Sequence, residues 1–209
     1  MSQASNLKVS RYPSTILHCN LYLLENEEGE VVIDPAVPYH ILYEGRKDGL
    51  RAIILTHCHF DHLYAIESYL ERTSCPVYMH RNGIKKLEDP VLNESALMGM
   101  DMGFQVPEER IVAIESDCVH NLLGLDFLFL ETPGHSDCSL SILVDGLLFS
   151  GDTLFKNTVG RTDLHTSDSG ALERSLEKLL ALGNFPVYPG HSVPTSIDAE
   201  RRTNPYLRR

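Results

Sequence analysis

Ala52-Ile53-Ile54-Leu55-Thr56-His57-Cys58-His59-Phe60-Asp61-His62 is the stretch that decides how this chain folds. Its first half is an apolar, β-type run, the pattern of a strand buried on both faces. Its second half packs three imidazoles and a carboxylate, His57, His59, Asp61 and His62, into six positions. Polar groups left unpaired at the end of a buried strand cost about 1–3 kcal/mol each. A bound cation removes that cost. Imidazole with carboxylate is the donor set that Zn²⁺ takes, and Fe and Mn are also compatible with it. A loop carried on a rigid strand can fix several such ligands at once.

Three further candidates lie downstream, in Pro133-Gly134-His135, Ser150-Gly151-Asp152 and Pro189-Gly190-His191. Each follows a Gly that ends an apolar or Pro-containing run, where a ligand at a strand end should stand. The chain has ten histidines, and a lone His is usually a surface or satisfied core residue. His18, His40, His80, His120 and His165 fall outside the pattern and read as structural, with His18, at the end of an apolar run, the nearest to an exception. Cys58 and Cys138 lie inside the motifs. The alternation His57-Cys58-His59 points Cys58 away from its neighbours, and both cysteines read as small packing residues.

The elements around these motifs alternate. Residues 15–24 and 30–34 read as strands joined by the charged turn Glu25-Asn26-Glu27-Glu28-Gly29, and 51–55 as the strand leading to the cluster. Helical spacing covers 38–47, with a Pro at its start, and 63–72. Residues 76–79 read as a strand. Residues 81–110 are the least regular, with weak helical spacing at 83–88 and 94–100 and three methionines between Met98 and Met102 that suit core filling or a lid. Strands are expected at 110–114, 125–131, 139–144 and 146–150, the last two joined by Asp145-Gly146. The apolar stripe over 169–182 predicts a helix ending at Gly183. A short strand at 185–188 and a helix over 198–207, cut or bent at Pro205, complete the chain.

His57-x-His59-x-Asp61-His62, followed by His135, Asp152 and His191, resembles the signature of the metallo-β-lactamase superfamily, and the likeness runs from Asn20-Leu21-Tyr22 and Val32-Ile33-Asp34-Pro35 to the C-terminus. Phe149-Ser150-Gly151-Asp152-Thr153-Leu154-Phe155, Gly160-Arg161-Thr162-Asp163-Leu164 and Glu200-Arg201-Arg202-Thr203-Asn204-Pro205-Tyr206 resemble its glyoxalase II-like, hydroxyacylglutathione hydrolase group. The resemblance implies an α/β fold, a single αβ/βα four-layer sandwich over residues 1–209. It assigns His57, His59 and His135 to one metal and Asp61, His62 and His191 to a second, with Asp152 bridging. Two divalent cations, Zn first, would sit roughly 3.5–4 Å apart and share a water of lowered pKa. The resulting hydroxide would attack a thioester such as S-D-lactoylglutathione, with Asp61 orienting it. Thiolate is a good leaving group and needs little acid help.

Arg161 is the candidate substrate anchor, because guanidinium matches a carboxylate and glutathione carries two. A pair with Asp163 that merely fixes the loop is the equal alternative. Only residues 198–209 follow the last motif, in place of the helical region that supplies glutathione contacts in classical glyoxalase II enzymes. Persulfide (sulfur) dioxygenases of the same superfamily, with a single Fe(II), share a similar Gly-Arg-Thr-Asp stretch and are the alternative reading. They use fewer of these ligands, and all seven positions are filled here.

Eighteen basic against twenty-nine acidic side chains leave a net charge of −11, the opposite of a nucleic-acid binder's basic footprint. The N-terminal residues carry no apolar leader pattern, and no segment approaches the ~18 apolar residues of a membrane span. Five irregularly spaced cysteines read as reduced thiols, which points to the cytoplasm. The expected partner is a small thioester, with a glutathione conjugate as one form, and neither nucleic acid nor membrane.

Overall fold

The computed structural model describes residues 6–207; residues 1–5, part of the stretch read for a leader, lie outside the described residues. The first half comprises β1 (Lys8–Pro13), β2 (Asn20–Asn26), β3 (Gly29–Ile33), α1 (Tyr39–Tyr43), β4 (Leu50–Ile54), α2 (Phe60–Leu63), α3 (Ile66–Leu70), β5 (Val77–His80) and β6 (Ile111–Ile114). The second half comprises β7 (Cys118–Leu122), β8 (Leu125–Glu131), β9 (Leu140–Val144), β10 (Leu147–Gly151), β11 (Leu154–Phe155), β12 (Thr158–Val159), α4 (Ser169–Ala181), β13 (Pro186–Pro189), β14 (Thr195–Ser196) and α5 (Ile197–Thr203). Two six-stranded sheets result, ordered β1-β2-β3-β4-β5-β6 and β14-β13-β10-β9-β8-β7, with β11 and β12 as a small ribbon.

The two-residue period of a strand sends neighbouring side chains to opposite faces. In β2, Tyr22 and Leu24 join a core that also holds Ile54 of β4 and Phe127, Phe129 and Ile142 of the other sheet. Leu21 and Leu23 turn the other way, onto Leu42 and Tyr43 of α1 and Ile66 and Tyr69 of α3. On the far side, Leu148 and Val187 meet Leu172, Leu176 and Leu179 of α4 and Ile197 of α5. Helices, sheet, sheet, helices: the four-layer sandwich is present, and burial of strands on both faces is why they read as unbroken apolar runs.

Several elements differ from the sequence reading for identifiable reasons. The helix expected over 38–47 stops at Tyr43, because Glu44 is extended and Gly45 takes a left-handed φ of 73°. The helix expected over 63–72 is two pieces. The first begins within the cluster, with His59 as its N-cap, and Ala65 at φ −113°, ψ 11° separates it from α3. Residues 81–86 and 95–98 form 3₁₀ turns. β1 and β7 were not expected. Both carry little continuous apolar sequence, because both are edge strands with one partner each.

Candidate metal centre

Strand direction brings the candidate residues together. β8 and β10 both lie antiparallel to β9, so they run the same way, and β13 runs parallel to β10. The C-terminal ends of all three therefore open on one edge. His135 follows β8, Asp152 follows β10 directly, and His191 follows β13. β4 delivers His57, while α2 turns Asp61 and His62 back over the same edge. The approach is close: a Cβ on Gly190 would stand 2.7 Å from His62 Cε1 and overlap Asp152, so only glycine fits before His191.

Two groups of donor atoms form. His59 Nδ1 lies 3.1 Å from His57 Nε2 and 3.0 Å from His135 Nε2. Tetrahedral Zn–N bonds of about 2.0–2.1 Å would place nitrogens about 3.3 Å apart, close to this spacing. In the second group His191 Nε2 is 3.2 Å from Asp61 Oδ2 and 3.4 Å from Asp152 Oδ2, and His62 Nε2 is 3.4 Å from Asp152 Oδ1. His135 Nε2 is 3.5 Å from Asp152 Oδ2, so Asp152 reaches both groups.

The ring tautomers follow from acceptor-only partners. His62 Nδ1 donates to Asp34 Oδ2 at 2.8 Å, His135 Nδ1 to the Arg161 carbonyl at 3.0 Å, and His191 Nδ1 to the Leu17 carbonyl at 3.1 Å. Thr56 donates from Oγ1 to Asp34 Oδ2 at 2.7 Å, so its oxygen accepts from His57 Nδ1 at 3.2 Å. Four imidazoles thus turn Nε2 towards the centre. Such partners orient ligand rings and raise their basicity. Asp34 holds His62 directly and His57 through Thr56, and also accepts from the Thr56 backbone N–H at 2.8 Å, at a left-handed φ of 53° that is strained for a non-glycine residue.

The donor set fits divalent cations. His62 Nε2 and Asp152 Oδ1 are buried with no hydrogen-bond partner, and each orphan is costly unless something positive satisfies it. The charge balance agrees. Burial and the surrounding imidazoles push His57 and His59 well below the ordinary imidazole range. Burial alone would discourage charge on His191, but Asp152 and Asp61 raise it to about 10. Asp152 is held well below the carboxylate range by His191 and His62 in spite of its burial. Two acids and two imidazolium-prone rings therefore compensate one another where cations would otherwise do so.

The metallo-beta-lactamase superfamily model matches residues 14–191, which span every candidate ligand. The chain belongs to the metallo-beta-lactamase superfamily. It is 36% identical over 211 residues to the probable metallo-hydrolase YqgX of Bacillus subtilis, covering 96% of this chain and 98% of that one. Its structure is similar to that of the BLEG-1 B3 metallo-beta-lactamase, with a TM-score of 0.87, 34% identity and coverage of 96% and 99%. It is also similar to TTHA1623 in a di-iron-bound form, with a TM-score of 0.81, 35% identity and coverage of 95% and 100%.

In this member of the superfamily the cluster lies beneath a cavity of about 720 Å³. His59, Asp61, His135, Asp152 and His191 line its floor, and Leu17, Phe60, Leu97, Met98, Phe155 and Leu164 supply apolar walls. Arg161 is at this cavity, and its guanidinium is also held by Asp163 through two contacts of 2.6 and 2.7 Å. The Asp163 pair is therefore present, at a position that also faces the cavity. Lys156 lines the same cavity, has no ion-pair partner among the described residues, and was missed because one lysine in a loop carries no pattern. His18 is exposed, and Cys58 and Cys138 are buried outside every group of His, Cys, Asp and Glu able to hold a metal, as packing residues should be.

Sequence reasoning also missed Asp34, a single acid at a strand end, and Lys86. The Lys86 side chain is fully buried; it donates to Ser136 Oγ at 2.7 Å, bonds Thr166 Oγ1 and pairs with Asp137. It ties the loop after His135 to the loop after Arg161. No local signal distinguishes such a lysine from a solvated one.

Proposed function

We propose that this protein is a metal-dependent hydrolase that cleaves thioesters, in the manner of a compact glyoxalase II, with S-D-lactoylglutathione as the reference substrate. The observation that carries the reading is the pair of buried, partnerless atoms His62 Nε2 and Asp152 Oδ1, the latter at the floor of an open cavity and the former beside it. His57, His59 and His135 would hold one divalent ion, and Asp61, His62 and His191 the other, with Asp152 serving both. Ions bound there supply Lewis acidity and lower the pKa of water from ~15.7 towards neutrality. The superfamily membership and the naming of a relative as a probable metallo-hydrolase support the reaction class.

The chain's own residues set the rest of the reaction. Asp61, an acceptor at the floor, orients the attacking water. Water gives one proton to solvent as its oxygen bonds to the carbonyl carbon, the C–S bond breaks, and the thiolate leaves with its electron pair and takes a proton from solvent. Glu94 is engaged by His165 N at 3.0 Å, and Asp61 and Asp152 are taken up by the centre, so no carboxyl of the cavity is left to protonate the leaving group. That favours a leaving group that departs unprotonated. Arg161 and Lys156 would anchor a substrate carboxylate, and the apolar walls would take the acyl or thiol body. The acidic balance of the chain favours a small molecule over nucleic acid. Five free cysteines favour a reducing compartment, the cytoplasm, and among the described residues no helix is long and apolar enough to cross a membrane.

A single-iron persulfide dioxygenase is the alternative reading to exclude. Hydrolysis needs no oxidant, and Zn²⁺ performs no redox chemistry. Zinc-loaded protein is expected to release thiol from a glutathione thioester under strict anaerobiosis. Activity confined to iron-loaded protein, with O₂ consumed alongside glutathione persulfide, would replace the hydrolase reading. Turnover of a β-lactam in preference to every thioester would keep the metals and overturn the substrate.

A further inference from the structure

One buried thiol stands among the donors of the second group. Cys19 is fully buried at the entry to β2, and its sulfur lies with the donor atoms of Asp61, His62 and His191, all within 4.8 Å of one another. The second observation is His62 itself, fully buried, with an Nε2 that no hydrogen-bond partner satisfies. A thiol and three other donors surround one point, and one of those donors is unsatisfied.

The sulfur is also held in place. Asn20 donates its backbone N–H to the Gly190 carbonyl at 2.7 Å, and both Asn20 Nδ2 and Tyr22 OH donate to the Pro189 carbonyl, at 2.9 and 2.7 Å. Just before Cys19, the Leu17 carbonyl receives His191 Nδ1. The segment that carries Cys19 therefore clasps the His191 loop, so the thiol and the imidazole cannot move apart independently.

We propose that Cys19 is a further ligand of the second metal position, a deepening that rests on the two-metal reading above. When a cation binds, the Cys19 S–H bond breaks, the sulfur gives its electron pair to the metal, and the proton passes to solvent. The second position then carries sulfur, nitrogen and oxygen donors, whereas the first carries nitrogen with the shared carboxylate. Thiolate is a soft donor, so this position selects thiophilic ions such as Zn²⁺, Co²⁺ or Cd²⁺ over Mn²⁺.

Cobalt titration of the chelated full chain tests this without reference to turnover. Two equivalents of Co²⁺ are expected, and one of them should bring a near-ultraviolet thiolate-to-cobalt charge-transfer band. Cys19→Ala and Cys19→Ser should lose the band while keeping the visible cobalt transitions, and should lose about tenfold in preference for Cd²⁺ over Mn²⁺, the lower end of what a ligand-sphere change costs. Cys58→Ser and Cys138→Ser should keep the band. Two bound equivalents with no band in the wild-type chain, or a band that survives in both Cys19 variants, overturns the proposal and leaves the two-metal reading standing. Failure to take up a second equivalent removes both.

Discussion

The floor and the rim of the cavity are built on different principles. At the floor, four imidazoles have one nitrogen committed to Asp34, Thr56 or a carbonyl, and Asp34 is itself fixed by two donors from Thr56. Almost nothing there is free to adjust. At the rim, Leu97, Met98 and Leu17 are about half exposed, and the Arg161 and Asp163 side chains are 61% and 68% exposed. Rigid placement of ligands is what metal chemistry requires, whereas a loose, apolar, sparsely charged rim defines a substrate only by class. The difference teaches that reaction type and substrate identity are written in separate parts of this molecule.

If the floor acts as a unit, removing its shared member should cost most. Asp152→Ala is expected to lose at least one metal equivalent and nearly all turnover, and to melt at a lower temperature in metal, because bound ions favour the folded state. Elemental analysis with calorimetry checks this; full metal content with normal melting would break the floor into independent pieces. Asp34→Ala touches no substrate and yet should weaken metal binding by about 10- to 100-fold, the usual cost of losing a partner that orients ligands. A chelator competition reads that loss, and an unchanged affinity would make Asp34 a merely structural residue.

The rim should respond less. Lys156→Ala is expected to raise KM about fivefold with kcat nearly unchanged, since an exposed charge contact contributes up to ~1 kcal/mol and acts on bound substrate and transition state alike. Arg161→Ala should raise KM by less than Lys156→Ala, because Asp163 already holds its guanidinium. Collapse of kcat in either variant, measured by steady-state kinetics on a thioester, would move that residue from the rim to the floor.

The smallest expected effect is on the metal-free chain. His191 is raised to about 10 by its acids, so its charged contacts stabilise the fold fully below its ordinary ~6.5 and are lost as pH rises through about 10. Asp152 is depressed, so its contribution is present above the ordinary carboxylate range and falls away in acid. The melting temperature of chelated protein should therefore fall from about pH 7 to about pH 10, and more steeply than that of metal-loaded protein, whose ligands are already deprotonated. Parallel pH profiles would mean that the floor's charges are not coupled as described.

How much of this was legible in the sequence follows the same division. The first four candidates stand within six positions after a two-sided apolar strand, and His135, Asp152 and His191 each end a strand of one direction, so local patterns carried their positions. The sandwich was legible because its central strands are buried on both faces. Edge strands such as β7 were not, since half-buried His120 and exposed Asn121 dilute the pattern, and the 3₁₀ turns at 81–86 and 95–98 are too short to give more than weak helical spacing. Asp34, Cys19, Lys86 and Lys156 escaped for one reason: each acquires meaning only from partners distant along the chain. Arg161 could be read two ways because its cavity and its Asp163 pair are both real.

The number of ions that the floor holds decides most directly between one shared centre and separate sites. Metal analysis of the purified chain after saturation with Zn²⁺ and removal of excess should give two equivalents per chain, and one or fewer for Asp152→Ala. A single equivalent in the wild-type chain, unchanged by Asp152→Ala, would contradict the shared two-metal floor.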